Sequence, residues 1–145
     1  MRKIEREVCG AFVRFKRKAS GNTVSTGTEL LLHNNVIAKW GSKARDGNLE
    51  LYISLAGWNT PTTRSRLNAV LELTSTEAYF LTHNKAARQQ APNTYAIHNY
   101  PLRIYTKKGE PYIRQCRLDS PNVAIPTNEF ILVKDYLNPT GLEEW

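Results

Sequence analysis

The residues best placed to do chemistry sit where a strand gives way to a helix, at Trp58-Asn59-Thr60-Pro61-Thr62-Thr63-Arg64-Ser65-Arg66. Thr60 has the type and position of a helix N-cap. Pro61 then stands at the first helical residue, where its missing N–H costs nothing. Free backbone N–H groups and the positive end of the helix dipole favour an anion at such a place. Thr62, Thr63, Arg64 and Arg66 would add neutral and charged donors to a phosphate. The plainer reading is a well-capped helix whose arginines are simply solvated. Two residues apart on a helix means roughly 200° of rotation, so Arg64 and Arg66 cannot both face one ligand unless the first turn is irregular.

A second group interleaves aromatic and basic residues: Tyr95, His98, Tyr100, Arg103, Tyr105, Lys107, Lys108, Tyr112, Arg114 and Arg117. Side chains alternate across a strand, so Arg103, Tyr105 and Lys107 share one face, with Leu102, Ile104 and Thr106 on the other. Exposed rings on a basic sheet can stack bases while Lys and Arg hold the phosphates. The competing reading is tyrosines packed at the rim of a core with their hydroxyls in water. Arg14 and Lys16 belong to a similar basic face near the N-terminus. There is no RNP-type or helix-turn-helix signature.

Other chemistries find less support. His33, His83 and His98 are each followed by Asn, and no two have the i, i+4 spacing of a helical zinc site. No metal is expected. The eight glycines are scattered, with no GxGxxG or GxxxxGK run, so no cofactor is expected. No carboxylate pair suggests general acid–base work. A non-enzymatic protein is the expectation, with a small nuclease or hydrolase assembled only by folding as the weaker alternative. Cys9 and Cys116 lie far apart and read as two buried, reduced thiols in a cytoplasmic protein. No apolar run approaches the roughly 18 residues of a membrane span, and the basic N-terminus lacks a signal-peptide h-region.

The net charge of +7 and pI near 9.6 are unevenly spread. Residues 1–46 carry ten Lys or Arg against four Asp or Glu, and residues 47–117 carry nine against four. Residues 118–145 hold Lys134 against five acidic residues. A basic body attracts phosphate-bearing partners. The acidic tail reads as a solvated end, or else as a strip that competes for the basic face.

The 145 residues fit one α+β domain, mainly antiparallel sheet, with about two helices at 61–72 and 75–90. Alternation of Ala11, Val13 and Phe15 against Phe12, Arg14 and Lys16 predicts a strand within residues 3–18. A hairpin is predicted from Thr28–His33 through Asn34-Asn35 to Val36–Trp40, then a loop over 41–48 and a strand over Leu49–Leu55. Leu67, Val70 and Leu71 give the first helix its apolar face, and Trp58 is placed to pack back over its first turn. Thr74-Ser75-Thr76-Glu77 matches a capping box for the second helix, with Ala78, Tyr79 and Leu81 facing inward. Strands follow at Leu102–Thr106, Tyr112–Leu118 and Glu129–Val133, with a Lys107–Glu110 turn. Pro101, Pro111, Pro121 and Pro126 suggest sheet edges.

From about Asn22 to Asn68 the chain resembles a group of small bacteriophage proteins. The residues that carry the resemblance are Asn22-Thr23-Val24, then His33-Asn34-Asn35-Val36-Ile37-Ala38, then Gly57-Trp58-Asn59-Thr60-Pro61-Thr62-Thr63-Arg64-Ser65-Arg66-Leu67-Asn68. The match covers about a third of the chain and departs at Asn34, where the group's pattern has glycine. The resemblance implies a viral origin and a host-takeover setting, without a mechanism. Together these features point to an accessory protein that binds nucleic acid or a nucleotide through a basic, tyrosine-bearing surface. The alternative is an inhibitor of a host protein, directed at defence or transcription.

Overall fold

The computed structural model describes residues 1–43, 49–82, 102–116 and 120–136. The expected α+β class with mainly antiparallel strands is what the chain forms. Strands β1 (Arg17–Ser20), β2 (Thr23–Thr26), β3 (Glu29–Leu32), β4 (Asn35–Lys43) and β5 (Leu49–Ile53) pair in sequence order, each antiparallel to the last. Strands β6 (Leu102–Lys107), β7 (Glu110–Gln115) and β8 (Val123–Ala124) make a second, three-stranded sheet. Strand β9 (Ile131–Leu132) returns to the first sheet and pairs with β5. A 3-10 turn at Val133–Tyr136 follows it.

Two hairpins are set by tight turns with positive φ at both central residues, the geometry that matches the twist of the flanking strands. His33 and Asn34 have φ of 50° and 65°, and Lys108 and Gly109 have 52° and 81°. The first turn therefore lies one residue earlier than Asn34-Asn35, and Asn35 already pairs with Leu32. Alternation holds on β5, where Leu51 and Ile53 are buried and Glu50 and Tyr52 are less so. Gly41 on β4 faces the Tyr52 ring so closely that a Cβ there would collide with it.

The N-terminal strand is not formed. Residues 3–13 are helical instead: α1 is a π-helical turn, Glu5–Cys9, that continues as α-helical Gly10–Val13. Glu5, Val8, Cys9, Phe12 and Val13 are among its buried positions, a spacing of three and four that belongs to a helix. The alternation of Ala11, Val13 and Phe15 samples too few residues to compete with that stripe. Phe15, at φ 60°, ends the helix, and its ring lies 4.8 Å from that of Trp40. Trp40 stacks on Phe12 at 5.4 Å and donates its indole N–H to the Phe12 carbonyl at 3.0 Å.

Helix α2 runs unbroken over Pro61–Thr82, so the predicted helices at 61–72 and 75–90 are not separate. Thr74 does not cap a new helix; its hydroxyl donates to the Val70 carbonyl at 2.5 Å, one turn back. With neither Gly nor Pro between Glu72 and Glu77, nothing in the sequence interrupts the ladder, and the threonine is satisfied inside it. Of the loop expected over 41–48, residues 41–43 extend β4 instead. Expectations for residues 44–48, 83–101, 117–119 and 137–145, and for the side chains of Ala78, Tyr79 and Leu81, lie outside the described residues. Pro111 is also unlike the expectation, since β7 is the middle strand of its sheet. It stands near the start of that strand, where β8 is met through its carbonyl, which accepts from Ile125 N–H at 3.2 Å.

Both helices cover one core. Val8, Cys9 and Phe12 of α1 and Leu67, Val70 and Leu71 of α2 join Leu30, Ile37, Leu51, Ile53, Ile104 and Ile113 from the two sheets.

Candidate functional site

The helix start forms as the sequence predicts. Thr60 Oγ1 accepts the Thr63 N–H at 3.2 Å, and the Thr60 carbonyl accepts the Arg64 N–H at 3.0 Å. Two different faces of that start then meet different surroundings. On one of them a cleft of about 800 Å³ opens between α2 and the outer strand β6. Arg2, Arg64, Arg103 and Tyr105 line it, together with Glu72. Strand alternation puts Arg103 and Tyr105 outward while Leu102 and Ile104 are buried.

Register extends the basic-aromatic face across the hairpin. Arg103 lies opposite Arg114, and Tyr105 opposite Tyr112. Lys107 is exposed at the end of β6, outside the residues that line the cleft.

Three side-chain amide and guanidinium groups fix the walls of this cleft. Asn68 on α2 accepts the Ile104 N–H at 2.7 Å and donates to the Ile104 carbonyl at 3.1 Å. Asn59 donates to the Gly109 carbonyl at 3.1 Å, joining the helix start to the hairpin tip. Arg64 directs Nη1 to the Asn59 carbonyl at 3.1 Å and to Asn59 Oδ1 at 2.6 Å. The guanidinium is thus steered towards the hairpin by one nitrogen, and among the described residues its other donors make no hydrogen bond.

Arg66 is not part of any surface. It is buried, with Nη1 2.7 Å from Glu5 Oε2 and Nε 3.1 Å from Thr23 Oγ1. Glu5 also accepts from the Ser65 hydroxyl at 2.5 Å and from the Arg2 backbone N–H at 3.2 Å. Burial pushes the Glu5 carboxyl up, but the hydrogen bonds from Ser65, Arg2 and Arg66 and the Arg66 charge together hold it below the usual carboxylate range. The physical reason for this correction is the helix period. Arg66 lies in the buried stripe of Thr63, Leu67, Val70 and Thr74, while Arg64 falls outside it.

The remaining expected site residues are scattered. Thr63 is buried, its hydroxyl 2.9 Å from that of Thr60, so it supports the cap rather than a ligand. Thr62 and Thr63 line a second cleft, about 590 Å³, with Leu32, His33 and Trp58. Trp58 does not cover the first turn of α2; it is 61% exposed at the lip of this cleft. Arg14 and Lys16 are exposed beyond α1 and line neither cleft. Among the described residues no group of three His, Cys, Asp or Glu could hold a metal ion.

The thiols divide. Cys9 is buried, with its Sγ 3.7 Å from the Arg66 carbonyl, whereas Cys116 is exposed, contrary to the expectation of two buried thiols. Burial, reinforced by the Glu5 charge, pushes the Cys9 thiol up to about 12, against the opposing pull of Arg66. Neither cysteine is in a disulfide.

Arg2, Asn59 and Asn68 are contributors to the cleft that the sequence pattern does not reveal. Arg2 lies just before the strand expected over residues 3–18, and nothing in its surroundings marks it as a cleft residue. The two asparagines act across long separations that leave no local signal, although both lie inside the stretch that resembles phage proteins.

Among the described residues, no helix is long and apolar enough to cross a membrane. Neither the curated proteins nor the solved structures contain a match to this chain. A family model described as Kyanoviridae Gp96 protein matches residues 1–137, nearly the whole sequence, which agrees with the phage resemblance read from residues 22–68. The chain therefore belongs to the Kyanoviridae Gp96 protein family, a family of bacteriophage proteins.

Proposed function

We propose that this phage protein is a non-enzymatic accessory factor that binds nucleic acid or a nucleotide through the cleft between α2 and β6. The observation that carries the reading is the meeting of Arg64, Arg103 and Tyr105 in one open cleft, although 41 residues separate Arg64 from Tyr105 in sequence. Two guanidinium groups and a half-exposed phenol ring are what a phosphate and a base need from adjacent positions. The charged side chains that line the cleft are Arg2, Arg64 and Arg103 against Glu5 and Glu72, and Glu5 is already paired with Arg66. Its basic charge and the two unpaired cysteines fit a role in the reducing host cytoplasm during takeover.

The test is fluorescence anisotropy with labelled single- and double-stranded oligonucleotides at two salt concentrations. Replacing Arg103 and Lys107 with Glu removes two attractions and adds two repulsions. Each phosphate that the variant no longer neutralises should flatten the log–log salt slope by about 0.7 units on single strands or 0.9 on duplex. Binding should fall while the thermal unfolding midpoint stays close to wild type, since both side chains are exposed. Absence of binding to DNA, RNA or nucleotides at low salt would overturn the reading and favour inhibition of a host protein, whose packed interface is far less sensitive to salt.

A further inference from the structure

We infer that the ligand is a single-stranded polynucleotide, and that it runs from the cleft over the β6–β7 hairpin tip to Trp58, which is a second base-stacking platform. This inference rests on the nucleic-acid reading of the cleft and names the form of nucleic acid it takes.

Trp58 is the most exposed large apolar side chain among the described residues, at 61% against 40% for Tyr105. Its loop is firmly built. Ala56 N–H donates to Ser54 Oγ at 3.0 Å, Gly57 N–H to the Thr127 carbonyl at 2.5 Å, and Trp58 N–H to the Leu55 carbonyl at 2.8 Å. Ala56 holds a left-handed φ of 54° to make this turn, a conformation that disfavours any residue with a Cβ. With Gly57 at φ 82°, the Leu55–Trp58 turn is closed by the Trp58-to-Leu55 hydrogen bond, and it holds the indole in solvent at a fixed place.

The Trp58 platform is joined to the cleft rather than isolated from it. Its neighbour Asn59 holds the Gly109 carbonyl on one side and Arg64 on the other. Between Tyr105 and Gly109 the hairpin carries Lys107 and Lys108, both exposed. A chain of phosphates leaving Tyr105 thus meets two lysines and the Asn59 bridge before it reaches the indole. The second cleft beside Trp58, about 590 Å³, gives a stacked base a place to lie against Thr62 and His33.

Two ring platforms separated by cations select against a duplex, whose base faces are already stacked on one another. They select against a lone nucleotide because it reaches only one of them. The charge of the path suits phosphates, and the rings suit any base, so little sequence preference is expected.

The experiment is an anisotropy titration with labelled oligothymidylates of increasing length, using wild type, Trp58→Ala, Trp58→Phe and Tyr105→Ala. Circular dichroism verifies that each variant is folded. Wild-type affinity should rise with length until both platforms are engaged. Trp58→Ala should leave the shortest oligonucleotide unaffected and weaken the longer ones roughly 5- to 100-fold, with Trp58→Phe recovering part of the loss. Tyr105→Ala should weaken every length. If wild type binds but Trp58→Ala matches it at all lengths, or loses affinity equally at all lengths, the two-platform path is wrong while the cleft reading stands. If wild type binds no oligothymidylate of any length, the single-strand path is wrong, and the cleft reading fails with it only if duplex, RNA and mononucleotide also fail to bind at low salt.

Discussion

The side-chain amide of Asn68 does for Ile104 what a neighbouring strand would do, accepting its N–H and donating to its carbonyl at 2.7 and 3.1 Å. A helix thereby grips the backbone of β6 directly, and the cleft has one wall of helix and one of sheet with their spacing fixed. Asn68→Ala should cost about 1–3 kcal/mol by leaving two backbone groups unpaired. Asn68→Asp keeps the acceptor, loses the donor and sets a negative charge beside Arg64 and Arg103. Urea titration should show both variants destabilised, and polyanion binding should fall further in the aspartate variant than in the alanine one.

The Glu5–Arg66 pair predicts a strongly non-additive cycle. Glu5→Gln strands a buried guanidinium and should cost about 3–5 kcal/mol, as should Arg66→Met, which strands the carboxylate. The double variant removes both charges and should be more stable than the sum of the two losses allows, by well over about 1 kcal/mol. Additive losses in chemical denaturation would mean that the pair is not coupled.

Acid should weaken the fold through the same carboxyl. Its folded-state pKa lies below the ordinary value of 4.5, so near that pH the unfolded chain binds more protons than the native one. The stability it contributes is therefore full above about pH 4.5 and is lost as pH falls through the depressed native value. Unfolding free energy measured from pH 7 down to pH 3 should fall more steeply in wild type than in Glu5→Gln. Parallel curves would remove Glu5 as a source of the acid dependence.

Thiol chemistry should separate the two cysteines by accessibility. In the native protein a disulfide-exchange reagent should modify Cys116 alone. Cys9, buried and with its thiol pushed up to about 12, should react only after unfolding. Rapid native reaction at both positions would show that α1 opens readily from α2.

Legibility follows sequence separation. The Thr60 cap, the β6–β7 hairpin and the alternation on β5 rest on residues within a few positions of each other, and each forms where the sequence puts it. The N-terminal segment misleads because three alternating residues look like a strand while Glu5, Val8, Cys9 and Phe12 already have a helical period. A charged residue such as Glu5 does not register as part of an apolar stripe, so the period is masked. Arg66 misleads for the same reason: Thr63, Leu67, Val70 and Thr74 mark the buried side of α2, but its charge suggests solvent. Its partner is 61 residues away, and Asn68 and Ile104 are 36 apart, distances at which pattern reading has nothing to compare. In the candidate site, the types of Arg64, Arg103 and Tyr105 are readable, and their convergence is not.

The pairing of β9 with β5 has a consequence for synthesis on the ribosome. Strands β1–β5 are made in succession and can zip locally as they emerge, yet the outer edge of β5 waits for residues 131–132, almost 80 positions later. Until then the nascent sheet ends in a strand whose hydrogen-bonding groups on that side lack their eventual partner, the condition in which strands join the wrong chain. The β5–β9 pairing therefore cannot close until the last part of the chain has been made, and the interval before it is when this edge is open to a wrong partner.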